Sequence, residues 1–436
     1  MKRRVVITGM GIWSCIGQDL KTVIESLKQG RSGIVFDQSR IDYGLQSGLV
    51  GNVPRPDLKL LLPRKFRATM SEDAEYAYMA ARQAFAQAGI TDEYLRQNEV
   101  GIIFGNDGNA HMMDYYPIME EEHDSRMIGP NSIFQGETSS VTMNLSTIFH
   151  IRGINLCVGA ACSSGSHAIG MASLLIRQGL QSVVLAGGSC MTDKRVIVAV
   201  DAMDALSQNN NPLTACRPFD CDRDGMVPSG GAAALVLEEY EHAKARGANI
   251  LAEVAGYGFS SNGIEDISMS SAEGEYIAMK RALDDAGITP DKVDYINAHA
   301  TSTIQGDIEE AKALYRFSRF SRESIESIAY RESTPYISST KSMTGHENWM
   351  AGASEAVYSI LMMQNNFVAP NINLENVIDE ARDLNIARET IYTPINTVLS
   401  NSSGMGGTNS ALVFRKLGSE SRNPVIPSCR EKQNNI

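Results

Sequence analysis

The sequence predicts an α/β protein of layered helices and buried parallel strands, assembled from two related halves. Three observations carry that expectation. Short β-branched runs alternate with alanine-rich segments of helical period, the pattern of strands covered on both faces by helices. A stretch of the first half returns in outline in the second. The 436 residues, 43% of them hydrophobic, supply apolar material for one large core or two fused ones.

The strand runs are Val5 to Thr8, Val183 to Ala186, Ala233 to Leu237 and Val398 to Ser400. Helical segments, with small or apolar residues at three- and four-residue steps, are Ala74 to Ala88, Ser164 to Gln178, Ala278 to Ala286 and Ala351 to Met363. The repeat pairs Ala77 to Ile90 with Ile277 to Ile288, each continuing into a short apolar strand, Val100 to Phe104 and Val293 to Ile296. Ser182 to Gly188 is echoed by Thr397 to Gly404. The divide falls near residue 250, after Glu238 to Lys244, which reads as a charged surface helix. The expected units are therefore 1–250 and 251–417, followed by a polar tail, 418–436, that carries Pro424 and Pro427. Without a Gly/Ser or proline-rich linker at the divide, the halves are expected to pack as one unit.

Composition removes several classes. Seven cysteines without a CxxC pair indicate neither a disulfide framework nor a zinc ribbon, and suit a reducing cytoplasm. The start, Met1-Lys2-Arg3-Arg4 and then Val5-Val6-Ile7, imitates a signal peptide, but Gly9, Gly11 and Gly17 interrupt the apolar run and favour a buried strand. No stretch approaches the roughly 20 apolar residues of a membrane span. A net charge of −12 argues against nucleic acid as the main partner. Arg64-Lys65-Phe66-Arg67 is the one basic cluster of note, and its plainest reading is a solvated helix start.

Cys162 lies in Gly159-Ala160-Ala161-Cys162-Ser163-Ser164, between the strand-like Ile154 to Val158 and a helix. A strand-to-helix turn exposes a sulfur and favours its thiolate through the helix dipole. The same surroundings also suit a small buried cysteine in a glycine-alanine packing run. His299 follows Tyr295-Ile296-Asn297, and His346 precedes the Ala351 helix, both at ends of short strands where α/β sheets place functional loops. Neither has the HxH or HxxxH spacing of a metal ligand, so no metal is expected. Asn401 to Asn409 is glycine-rich but lacks the lysine of a phosphate loop. Such a loop lets backbone N–H groups approach an oxyanion.

Taken together these segments resemble the β-ketoacyl-acyl-carrier-protein synthases of the elongating class, members of the thiolase-like superfamily. The resemblance runs from Val5 to about Leu417 and is most specific at Ala161-Cys162-Ser163, Asn297-Ala298-His299 with Thr301-Ser302-Thr303, and Ser339 to His346. Arg217-Pro218-Phe219-Asp220 with Arg223-Asp224-Gly225, and Gly406-Gly407-Thr408-Asn409, are equally specific. It implies a five-layer αβαβα fold of two similar halves, usually a homodimer, with a heterodimer of related subunits as the variant, and no cofactor. It assigns Cys162 as acyl carrier and His299 and His346 as donors to a malonyl-derived enolate, with oxyanion contacts from the backbone N–H groups of Cys162 and Met405. Lys341 would set the local potential beside Glu310 or Glu355, with Asp307, Thr301 and Thr303 in support. The acidic acyl carrier protein would dock at Arg64, Lys65 and Arg67.

Departures locate what is particular to this chain. Ser403-Gly404-Met405 stands where the family has aromatic residues flanking the glycine of a gating loop, Val200 where a pocket phenylalanine is common, and Ala300 where a glycine is usual. Val200 is expected to enlarge the acyl pocket. The implied activity is decarboxylative Claisen condensation in fatty-acid elongation, with a ketosynthase of a specialised polyketide or aryl-polyene pathway as the alternative. A non-catalytic chain-length-factor partner is disfavoured by the presence of Cys162, His299 and His346.

Overall fold

The computed structural model describes residues 3–320 and 334–418, so the expected tail beyond Gly418 and Cys429 lie outside the described residues. Ten strands form the main sheet: β1 (Val5–Trp13), β2 (Gly101–Gly105), β3 (Asn155–Val158), β4 (Val183–Cys190), β5 (Gly231–Glu239), β6 (Ala252–Ser261), β7 (Tyr295–Asn297), β8 (Tyr336–Ser338), β9 (Thr397–Gly404) and β10 (Thr408–Arg415). Across the sheet they run β8-β7-β9-β10-β6-β1-β5-β4-β2-β3. Read outward from the centre, the first five strands follow 1-5-4-2-3 and the last five 6-10-9-7-8, the same order twice.

The pairings repeat as well. β1 meets β5 and β5 meets β4 antiparallel, after which β4, β2 and β3 are parallel. β6 meets β10 and β10 meets β9 antiparallel, after which β9, β7 and β8 are parallel. The sheet is thus mixed, and the expected parallel strands account for only the outer three in each set. A short antiparallel contact, Val6 with Glu253 and Ile7 with Ala252, joins the two sets.

Alternation along the strands separates the layers. Ile102, Phe104, Val183 and Leu185 face an outer core with the helix Glu72–Ala88, while Ile103, Val184 and Ala186 face a central one. Val398, Leu412 and Phe414 share that central core, and Leu399, Ala411 and Val413 face a second outer core with Ala272–Ala286 and Ile304–Phe320. The central layer is the helices Ser164–Arg177 and Ala351–Asn365, so the order is helix, sheet, helices, sheet, helices.

One packing device appears in both sets. A Cβ on Gly9 or Gly11 of β1 would lie 2.1 Å from the Ala84 carbonyl oxygen or 1.9 Å from that of Ala80. A Cβ on Gly256 or Gly258 of β6 would lie 2.1 Å from the carbonyl oxygens of Ala282 or Ala278. Only glycine lets a helix backbone settle this close to a strand, and alanine on the helix completes the approach.

The expected surface helix at Glu238 to Lys244 is corrected. β5 continues through Glu239, and the helix is Tyr240–Ala245. Glu238 is fully buried, accepting from Thr8 and Arg246 and lying 3.0 Å from His242 Nδ1. A charge read as solvated is instead paired inside. No helix among the described residues is long and apolar enough to cross a membrane.

Candidate active site

Each sequence segment singled out for chemistry leaves the sheet at a strand end. After β3 the chain makes a single 3-10 turn, Ala161–Ser163, and enters the helix Ser164–Arg177. The turn is tied by its own hydroxyls: Ala160 N–H donates to Ser164 Oγ at 2.8 Å, and Ser164 Oγ–H donates to the Ala161 carbonyl at 2.6 Å. Ala161 adopts φ +45°, a left-handed conformation that costs an alanine about 1–2 kcal/mol. Its N–H donates to Asp107 Oδ2 at 2.7 Å, which holds the bend against that strain. Cys162 sits at the crest, half-buried on the wall of a cavity of about 200 Å³.

Two backbone N–H groups face its sulfur, those of Met405 and of Cys162 itself. They lower the thiol pKa, as does the Lys341 charge, but burial outweighs them and the net direction is upward. The resting sulfur therefore keeps its proton. A dipole-stabilised thiolate was expected, and desolvation reverses it.

His299 follows β7, where Glu310 of the helix Ile304–Phe320 clamps the backbone, accepting from His299 N–H at 2.7 Å and Ala300 N–H at 2.6 Å. Asn401 Nδ2–H adds a third bond to Glu310 at 2.8 Å. The ring Nδ1 lies 3.4 Å from Lys341 Nζ. An ammonium there can only donate, so Nδ1 accepts and Nε2 carries the proton. His346 is placed by a strand-like bridge: its N–H donates to the Val227 carbonyl at 2.6 Å and its carbonyl accepts from Ser229 N–H at 2.8 Å. The His346 side chain is 1% exposed, and both ring nitrogens lack a hydrogen-bond partner among the described residues.

The two rings stand edge to face, 5.4 Å between centroids at 86°. Burial, then the Lys341 charge, pushes both imidazoles well below their ordinary range, and His299 also feels His346. Both are neutral. Lys341, 1% exposed, forms an ion pair with Glu355, whose carboxyl burial raises to about 7 against the pull of Lys341. Of the two charge partners expected for Lys341, Glu355 is the direct one, whereas Glu310 spends its oxygens on backbone.

The cavity brings Cys162, His299, His346, Thr301, Thr303, Ser403, Gly404 and Met405 onto one wall system, together with Met203, Met226 and Met269. Thr301 and Thr303 link their hydroxyls at 3.0 Å. Asp307 lies behind them, accepting from Phe219 N–H at 2.8 Å and Ser302 N–H at 3.1 Å, with Arg223 Nε 3.7 Å away. Arg223 also donates to the carbonyls of Thr303 and Ile304, and Arg217 N–H of the Arg-Pro-Phe-Asp segment donates to Ser302 Oγ, so both segments hold the loop after His299.

Val200 does not reach this cavity. It is absent from the cavity lining and packs against the apolar cluster of Leu206 and Met226, of which Met226 itself lines the cavity. Arg64 and Lys65 are exposed on the short helix Arg64–Arg67, while Arg67 is half-buried and donates to the Leu62 carbonyl at 3.1 Å. They border a second groove, lined by Lys65, Phe66 and Phe134, rather than the cavity of Cys162.

Two residues of the site escaped the sequence. Asp107 has no motif around it, and its only cue is a position just after a strand. Glu275, on the helix Ala272–Ala286, reads as an ordinary first-turn carboxylate favoured by the helix dipole, yet it lines the cavity and is 2% exposed.

Comparison with known proteins follows the same geometry. The family described as the beta-ketoacyl synthase N-terminal domain matches residues 2–243, and its C-terminal domain matches residues 251–375. The chain is 41% identical over 420 residues to 3-oxoacyl-[acyl-carrier-protein] synthase 1 of Escherichia coli strain K12, covering 95% of this chain and 99% of that one. A beta-ketoacyl synthase from Burkholderia phymatum STM815 superposes with a TM-score of 0.88 at 35% identity, over 96% of this chain and 100% of its own. AntDE:AntF, a type II polyketide synthase acyl-carrier protein in complex with its ketosynthase bound to the hexaketide, gives 0.82 at 30%, over 96% of this chain and 100% of the chain matched.

Proposed function

The chain belongs to the β-ketoacyl synthase family, and on that premise we propose that it elongates fatty acyl groups by condensing an acyl chain held on Cys162 with malonyl-acyl-carrier protein. The observation that carries the reading is the pair of neutral imidazoles, one with both nitrogens unpartnered, on the same cavity wall as a sulfur faced by two N–H groups. Relatives with the 3-oxoacyl-[acyl-carrier-protein] synthase name, such as the Escherichia coli protein at 41% identity, support the choice of substrate.

The steps balance without an added reagent. The Cys162 sulfur attacks the carbonyl of an acyl-carrier thioester, its proton leaves with the carrier thiol, and the transient oxyanion meets the N–H groups of Met405 and Cys162. Malonyl-carrier protein then loses CO2, and the electron pair of the broken C–C bond passes into an enolate. His299 Nε2–H and His346 donate to that oxygen, where charge develops only as the bond breaks, so the stabilisation falls on the transition state. The enolate carbon attacks the acyl carbonyl and expels the Cys162 sulfur as a thiolate, which takes a proton from water to restore the resting thiol, giving 3-oxoacyl-carrier protein. Lys341 is a positioning residue, fixing the His299 tautomer while Glu355 balances its charge.

Mass spectrometry of the Cys162 peptide after incubation with acyl-carrier protein tests the assignment. A stable acyl adduct that disappears on adding malonyl-carrier protein is expected, and Cys162→Ala should abolish both. Condensation that survives Cys162→Ala would overturn it.

Two partner readings accompany this. Exposed Arg64 and Lys65 suit an acidic carrier protein, so charge reversal there should raise KM for the carrier several-fold at low salt and little at high salt; a KM indifferent to reversal sinks the docking site. β3 is an edge strand with Leu156 43% exposed, and exposed Phe134 lines a groove together with Asn155 of the same strand. A second copy pairing along β3 would cover that edge, giving the homodimer. Sedimentation should therefore read twice the 47.4 kDa chain, and a monomeric mass at working concentration would refute it. Free thiols at the six described cysteines accord with a cytoplasmic setting, which cell fractionation would test.

A further inference from the structure

The mechanism leaves one buried ionisable group of the cavity unused. Glu275 is 2% exposed and lines the same cavity as Cys162, and its Oε2 has no hydrogen-bond partner among the described residues. The Ser403 hydroxyl, also on the cavity wall, faces the Glu275 carboxyl and makes no other hydrogen bond among the described residues. We propose that Glu275 and Ser403 form a polar subsite that hydrogen-bonds an oxygen on the acyl chain, so that this enzyme selects hydroxyl- or keto-bearing acyl groups over plain hydrocarbon ones.

The charge state of the subsite follows from its neighbour. Glu310 accepts three N–H bonds, two from backbone and one from Asn401, which oppose the larger upward push of burial on its carboxyl. Burial first, and then the neighbouring Glu310, raises the Glu275 carboxyl well above its ordinary range. Glu275 thus holds a proton and offers an O–H donor in a cavity whose wall also carries the apolar side chains of Met203, Met226 and Met269. A saturated chain would leave that carboxyl and the Ser403 hydroxyl only each other and Asn401 as partners, with Glu275 Oε2 still open, whereas an oxygen substituent supplies the missing bond. A site built to hydrogen-bond a substrate oxygen discriminates more strongly than an apolar pocket separates chains by one methylene.

The inference rests on Cys162 carrying the acyl group, and its test separates the two. The intact enzyme is given malonyl-carrier protein with a one-to-one mixture of saturated and hydroxylated acyl-carrier proteins of equal chain length, the hydroxyl moved along the chain in successive substrates. At one position the hydroxylated chain should be favoured by about tenfold in kcat/KM. Glu275→Gln, which keeps an N–H donor, should retain the preference, and Glu275→Ala should bring the ratio towards one. A wild-type ratio near one at every position, or a preference that survives Glu275→Ala, would overturn the subsite while leaving the condensation reading intact. Condensation of neither chain by the wild type would overturn both. Retained preference in Glu275→Gln shows that loss in Glu275→Ala reflects the missing donor and not a damaged fold.

Discussion

Strands β3 and β8 hold the same place in the same five-strand order, yet the loops that leave them do different work. The loop after β3 is short, strained at Ala161 and carries one reactive atom, the Cys162 sulfur. The loop after β8 carries Lys341 and His346 and packs against Glu347 and Glu355, all almost fully buried. The first is secured by its own serine hydroxyls and by one carboxylate, Asp107, which accepts from Ala161 N–H. The second, with the neighbouring His299 loop, is secured by a network of charges taken out of water. Duplicated strands supply equivalent exits, and in the proposed mechanism the chemistry is divided between them: a nucleophile from one set, and electrostatics from the other. Damage to the first should therefore cost reaction alone, and damage to the second should cost reaction and stability together.

The division can be broken most directly at His346. His346→Ala should slow condensation by about 10²–10³-fold, the usual loss for one donor to a developing oxyanion, while acyl transfer onto Cys162 continues. Single-turnover assays of the two half-reactions would show it; an equal loss in both would mean that the histidine serves the nucleophile as well. Lys341→Ala comes next. It strips Glu355 of its ion-pair partner, and breaking a buried pair costs about 3–5 kcal/mol, with the lower end expected because Glu355 can take up a proton. Chemical denaturation should report that loss, and a midpoint unchanged from wild type would remove the claim that the second loop is held by charge.

The smallest expected effect concerns Glu347, buried between Ser354 and Tyr358. Burial raises its carboxyl from 4.5 to about 8. In the fold it keeps its proton to about pH 8, whereas unfolded it loses it near 4.5, so its contribution is whole below 4.5 and is lost as pH rises towards 8. The histidines act in the other sense, since their depressed values cost stability only as pH falls below 6.5. Between pH 6.5 and 8 stability should therefore fall with pH, and Glu347→Gln should flatten that fall by on the order of 1 kcal/mol. Melting temperatures across the window check it, and an unchanged slope would place the titration elsewhere.

Much of this was open to reading in the chain. The repeat of Ala77 to Ile90 in Ile277 to Ile288 corresponds to the two outer helices, and the echo of Ser182 to Gly188 in Thr397 to Gly404 corresponds to β4 and β9, equivalent strands in the two sets. These are local periodicities, and backbone geometry dictates them wherever the segment folds. Cys162, His299, His346 and Lys341 were legible because each lies in a dense motif. Glu238 misled because one charged residue after a strand looks like the start of a surface helix; its burial depends on Arg246 and Thr8 arriving from elsewhere.

By itself, the sequence determined the two sets of strands, the helices that cover them and the chemical types present. Only the tertiary structure decided the antiparallel centre of the sheet, the choice of Glu355 over Glu310 beside Lys341, the place of Met226 rather than Val200 on the cavity wall and the arrival of Glu275 at the cavity. The physical reason is one of range. Helix and strand periods are set by neighbours a few residues apart, whereas desolvation and charge pairing are set by whichever distant atoms close over a group, and those no local pattern encodes.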